Sequence, residues 1–316
     1  MIQRISVFSR CLAFTATLAL SACLFAATST PEKIALLKWY SANQVTSFTV
    51  GMVPVHAAFD GENIWVTNHN SNSVTKLRAN DGAILGTFTV GVSPFHLAYD
   101  GANMWVTNSG SSTVTKLRGT DGVALGTFTV GPEPLGIAFD GANIWVAIGQ
   151  NNVVVKLAPN GTVIGTFPVG ALPDGVAFDG SNIWVANHNS NNVTKLRASD
   201  GAVLGTFAVG NSPDEFAFDG ASIWVSNFFS NTVTKLQAST GTVLGTFAVG
   251  NGPVGLAFDG TNIWVVNDNS GSVTELQDSN GAVLGTFPVG SAPEGIAFDG
   301  ANLWVCNTSS NTVSKL

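Results

Sequence analysis

Four histidines, a few carboxylates outside turn signals and three cysteines are the side chains of this 316-residue chain best suited to chemistry. His56 and His96 each stand two residues after a proline, and Glu215 holds the equivalent place after Pro213. Gly136, Gly175, Gly255 and Gly295 occupy that place elsewhere, and the residue before it varies through Val55, Phe95, Leu135, Asp174, Asp214, Val254 and Glu294. His69, His188, Phe228 and Asp268 share a second variable place, directly after a recurring Asn. Imidazole nitrogen and carboxylate oxygen are ligands for a divalent metal, which needs three or four of them within reach of one point. His56, His69 and His96 belong to consecutive units and can converge, whereas His188 is expected across the molecule. The Asp214-Glu215 pair suggests acid/base work, but neighbours on a strand point to opposite faces and would share a substrate poorly. No Ser-His-Asp order, phosphate-cradling glycine loop or His-x-x-x-His pair is present. The competing expectation is that all these are solvated loop side chains of drifted identity.

The elements that position them come from a repeat. Ala58-Phe59-Asp60-Gly61-Glu62-Asn63-Ile64-Trp65-Val66-Thr67-Asn68 recurs around Trp105, Trp145, Trp184, Trp224, Trp264 and Trp304, at a spacing of 40 residues and once 39. A period of that length marks a repeat architecture. Within a unit the short runs are rich in Val, Thr, Phe and Trp and alternate with period 2, which suits strands. Asp100-Gly101 and Asp121-Gly122 separate such runs as hairpin turns do. Each unit is therefore a four-stranded antiparallel meander, strands A to D, with two apolar faces that it cannot bury alone. Seven meanders in a ring can, which predicts an all-β, seven-bladed β-propeller.

The chain stops after a strand C, Thr312-Val313-Ser314-Lys315-Leu316, while Ser47-Phe48-Thr49-Val50-Gly51 near the start matches a strand D. The N-terminal strand is expected to complete the last blade and close the ring, leaving no open sheet edge. Alternating strand direction puts the D–A and B–C loops at one end, where the histidines and most non-turn carboxylates gather. The other end repeats Asp-Gly turns, whose Asp-Gly-x-Asn spacing lacks the dense oxygen set of a calcium loop. Variable loops on a rigid scaffold commonly carry function, so the candidate face comprises His56, His69, His96, Asp174, His188, Asp214, Glu215, Phe228, Asp268 and Glu294.

Residues 1–22 carry Arg4 and Arg10 before an apolar run, the pattern of a secretory signal peptide. Leu20-Ser21-Ala22-Cys23 resembles a bacterial lipobox, which implies lipidation of Cys23 and anchoring through acyl chains; cleavage near Ala26 or Ala27, giving a soluble secreted protein, is the alternative. Residues 23–36 read as a tether and 37–316 as the propeller. Charged residues are only 10% and the formal net charge is −7; loss of Arg4 and Arg10 takes it to −9. That balance argues against binding a nucleic-acid backbone. Lys76, Lys116, Lys156, Lys195 and Lys235 fall one to a unit, a repeated decoration and not a patch. Three cysteines make no disulfide framework, and Cys306 stands where other units have Thr, Ala, Ser or Val, as a small buried side chain would.

Trp65-Val66-Thr67-Asn68 and Trp105-Val106-Thr107-Asn108, with the Val-Gly-x-x-Pro loop and the Asn-Thr-Val-Thr-Lys-Leu run, resemble the YVTN repeat of bacterial and archaeal surface and periplasmic propellers. The unit is also similar to that of virginiamycin B lyase, another seven-bladed propeller. It departs from that family's Pro-His-Gly loop, since two of its histidines, His56 and His96, occupy the Gly position, and every strand B except the one ending at Ile148 ends in Asn where the lyases have an aromatic-Thr-Glu. Neither lyase catalytic residue carries over. The YVTN family ranges over binding modules and proteins with no known activity, so fold analogy alone gives no function. The expectation from all these features is a lipid-anchored, monomeric, non-catalytic binding or scaffold module of the cell envelope, taking a protein, peptide or glycan on the variable face without a cofactor. The alternative is a lyase-like enzyme holding a divalent metal near His56, His96 and Glu215.

Overall fold

The structure, a computed structural model, describes residues 46–316. The expected signal segment 1–22, Cys23, the tether 23–36 and the first residues of the 37–316 unit lie outside them. The described residues form seven four-stranded antiparallel sheets. Blade 1 runs in chain order through strand A (Pro54–Phe59), B (Asn63–Asn68), C (Ser73–Arg78) and D (Ile84–Thr89). Blades 2 to 6 repeat that order. Blade 7 takes strands A to C from Pro293–Phe298, Leu303–Asn307 and Thr312–Lys315, and its strand D is Thr46–Thr49. Thr46 pairs with Lys315 and Phe48 with Val313. Val53 N–H also donates to Asn311 Oδ1 at 2.8 Å. The all-β seven-bladed propeller closed by its N-terminal strand is the fold the repeat predicts.

Strand B is buried along nearly its whole length because a blade is covered on both faces by its neighbours. Trp145 and Val154 of blade 3 pack with Ile183, Val185 and Leu196 of blade 4. The final seam is equivalent: Trp304, the free thiol of Cys306 and Val313 of blade 7 meet Ile64, Val66 and Leu77 of blade 1. Burial raises the Cys306 thiol pKa, as befits an unreactive core side chain.

The Asp-Gly turns hold no calcium-like ligand set. In blade 1, Asp60 Oδ1 accepts from the N–H groups of Glu62 and Asn63 at 2.9 and 2.6 Å, and Oδ2 accepts from Trp65 Nε1 at 2.7 Å. These donors hold the Asp60 carboxyl below its ordinary range against the opposing effect of burial, which is the largest single influence. The strand C lysine is more than decoration. Lys76 Nζ lies 4.8 Å from the centroid of the Trp65 ring, 3.5 Å from Asp60 and 2.6 Å from the Gly119 carbonyl of the next blade. Lys116, Lys156, Lys195 and Lys235 reach forward in the same way, and Lys315 closes the circle on the Ala79 carbonyl of blade 1. Blade 6 carries Glu275 in this place, bonded instead to Asn262. Its forward neighbour is blade 7, whose strands C and D are Thr312–Lys315 and Thr46–Thr49, so among the described residues no C–D turn offers a carbonyl there.

Candidate functional site at the channel mouth

Strand A is the innermost strand of every blade and packs against strand A of both neighbours. Close approach explains the glycines: a Cβ on Gly136 would fall 2.2 Å from the Asp174 carbonyl, and one on Gly175 at the same distance from that of Asp214. Three blades break this rule with His56, His96 and Glu215, and those side chains meet. The His56 and His96 rings stack with centroids 4.0 Å apart. His96 Nε2 lies 3.0 Å from Glu215 Oε1, joining blades 2 and 5 across the channel. One ligand atom from each of the three residues lies within 4.8 Å of the others. The short His96–Glu215 contact is not aligned as a hydrogen bond, for Glu215 Oε1 is buried with no partner, as is His56 Nδ1. Two unpartnered buried polar atoms in one cluster mark a place where something else completes the bonding.

Each strand A carries a register shift directly after its proline, between Pro213 and Phe216 in blade 5. The bulge frees Asp214 and Glu215 from strict alternation. Contrary to the expectation of opposite faces, both line a single small cavity with His56, His96 and Glu294. Burial lowers the His56 pKa to about 3, aided by His96 and opposed by Glu215. Burial also lowers that of His96 to about 3, so both imidazoles are neutral at physiological pH. The same desolvation raises Asp214 to about 7 and Glu294 to about 8, with neighbouring carboxylates adding to it. Asp174 is pushed well above its ordinary range by burial and then by Asp214, Glu215, Glu294 and Glu133. Drifted, solvated loop residues would not behave so; the strand A members are half-buried or buried at the channel.

Beside this cluster a recess of ≈ 380 Å³ is bordered by His188, Asp214, Phe228, Phe229, Asp268 and Glu294 among others. His188, on blade 4, borders this recess together with Asp214 and does not line the cavity of His56 and His96. His69 stands apart on the rim: its Nδ1 is 2.9 Å from Asn70 Oδ1, and its ring is edge-on to Phe95. Phe229 and Glu133 escaped the sequence reading. Phe229 is legible in retrospect, because it stands where blades 1 and 4 have Asn70 and Asn189.

His56, His96 and Glu215 fit a divalent metal by the chemistry of their atoms: two neutral imidazoles, one carboxylate, and room for further ligands on the cavity side. No family model matches the chain. A search of curated proteins also finds no match. Solved structures do resemble it. A streptogramin B lyase superposes with a TM-score of 0.75 at 17% identity, covering 86% of this chain and 96% of the lyase. Hydrazine synthase of Kuenenia stuttgartiensis gives 0.75 at 20% identity over 84% and 95% of the two chains. Virginiamycin B lyase from Staphylococcus aureus gives 0.74 at 18% over 86% and 98%. At such identities the likeness is one of fold.

Proposed function

We propose that the chain is an extracytoplasmic binding propeller that takes its ligand at the channel mouth, with a divalent cation held by His56, His96 and Glu215 as part of that site. The observation that carries the reading is the convergence of these three residues from three blades, with His56 Nδ1 and Glu215 Oε1 buried and unpartnered. A two-histidine, one-carboxylate set favours a borderline transition ion such as Zn²⁺ or Fe²⁺ over Mg²⁺ or Ca²⁺, which prefer oxygen. The metal when bound supplies a Lewis-acidic anchor for a polar ligand group; Glu294 and Asp214 set the charge around it. Binding and not lyase chemistry is the reading adopted, because the loop and strand-end motifs of the lyases are absent here.

Elemental analysis of the purified protein, reloaded after chelation, is expected to give one transition metal per chain, and His56→Ala with His96→Ala to abolish it. Absence of metal in the folded wild type would remove the cation from the reading. A streptogramin B incubated with the metal-loaded protein is expected to remain intact; its opening would replace the binding reading with the lyase one. Export as a lipoprotein is part of the same proposal, supported by the lipobox-like Leu20-Ser21-Ala22-Cys23. Cys23→Ser is expected to move the protein from the membrane to the soluble fraction, and its continued membrane association would sink the anchor.

A further inference from the structure

Charge is divided between the two ends of the ring. Every Lys and Arg among the described residues is engaged in the blade seams or at the Asp-Gly end: six lysines over tryptophan rings, and Arg78, Arg118 and Arg197 each 2.9 Å from Asp81, Asp121 and Asp200. The channel mouth holds Glu133, Asp174, Asp214, Glu215, Asp268 and Glu294 with no Lys or Arg among them. Histidine nitrogen is the only basic group there. In the recess, Asp214, Asp268 and Glu294 face an aromatic wall. Phe228 and Phe229 meet edge to face with centroids 5.0 Å apart, and Phe229 is 69% exposed, the most exposed of the large apolar side chains. Where Asn or another small polar residue would serve the loop, two phenylalanines present apolar surface to solvent beside unneutralised carboxylates. Desolvated acids without a countercharge are costly, and a cation relieves that cost. The recess adjoins the small cavity of His56, His96 and Glu215, with Asp214, Val254 and Glu294 lining both.

We propose that the recess between Phe228, Phe229, Asp268 and Glu294 binds a small primary ammonium ion carrying an aromatic or aliphatic group. The carboxylates accept its N–H groups, and the phenylalanine rings take its apolar body and interact with the charge through their faces. A volume of ≈ 380 Å³ is at the small end of ligand sites, which run from about 300 to 1,000 Å³. That size suits a small molecule and not a protein segment. The inference rests on the reading of the channel mouth as a ligand site, yet it uses residues outside the three-residue cluster.

Calorimetric titration in mildly alkaline, low-salt buffer tests it, with phenethylammonium as probe and phenethyltrimethylammonium and 3-phenylpropionate as controls. The expected result is saturable binding of the primary ammonium ion, weakened at least about tenfold by Asp268→Asn, a change equal to about 1.4 kcal/mol. Phe229→Ala, at an exposed position where folding is not at stake, is expected to weaken it similarly. The trimethylated ion, which has no N–H to donate, and the anion should bind more weakly still. Absence of phenethylammonium binding, equal binding of either control, or no effect of both substitutions would overturn the assignment. Zn²⁺ uptake is measured on the same preparation: uptake without amine binding removes this inference alone, and amine binding without uptake supports it while removing the metal.

Discussion

At the scale of single residues, the channel mouth is built from groups held in the wrong charge state for water. Glu294 is the clearest, with its pKa raised from 4.5 to about 8 by burial and then by Asp214 and Asp268. Below about pH 4.5 the carboxyl is protonated folded or unfolded and contributes nothing to the pH dependence. Between there and about pH 8 the unfolded chain gives up a proton that the fold retains, so this group's contribution to stability falls as pH rises. Glu294→Gln, which stays neutral throughout, should therefore melt close to wild type near pH 4. Near pH 8 it should melt higher, by on the order of 2–4 °C for each kcal/mol recovered. Thermal melts of the metal-free proteins across that range provide the check, and a wild type that gains on the variant with rising pH would contradict the raised pKa. The adjacent imidazoles differ in sign: as bases lowered to about 3, His56 and His96 favour the fold more as pH rises toward their unfolded value of 6.5.

At the scale of the element, the recurring device is the A–B turn with its Asp, Trp and Lys. Asp140 accepts from Trp145 Nε1 at 2.7 Å and from the N–H groups of Ala142 and Asn143, and Lys156 lies 3.7 Å away. Asp140→Ala would strip four donors of one acceptor in a largely buried place. The expected cost is about 2–4 kcal/mol, read as a lower denaturant midpoint at unchanged slope; a loss below about 0.5 kcal/mol would show the turn to be held by Gly141 alone. The Asp-Gly signal was legible because turn geometry demands it. The Lys-over-Trp arrangement was not, since a lysine read one unit at a time shows no partner; its acceptor lies 42 or 43 residues further on, in the next blade. The bulge after each loop proline was likewise hidden, and it reverses the expectation for Asp214 and Glu215.

At the scale of the molecule, closure is the property on which both faces depend. Phe48 stacks on Trp304 at 5.5 Å and pairs with Val313, so the outermost strand of blade 7 is supplied from the far end of the chain. A chain starting after residue 49 should unfold at lower denaturant, and a synthetic strand spanning residues 46–52 added in trans should restore part of the loss. Equal midpoints with and without the strand would show that the ring is stable open. The same closure fixes the circular order that sets blade 2 against blade 5 across the channel, the geometry on which the His96–Glu215 contact rests.

The chain's own pattern determined the blade number, the strand order, the completing strand and the end at which the variable residues gather. Those follow from a 40-residue period and a period-2 alternation, both local and repeated, so chance has little room in them. Only the tertiary structure decided which variable residues meet: His56 with His96 and Glu215, His188 and Asp214 around one recess, and His69 with Phe95 at the rim. The physical reason is that the channel is narrow and lined by seven separate strands. Distance across it depends on strand tilt, bulges and side-chain length, none of which is written in the spacing of residues along any one strand.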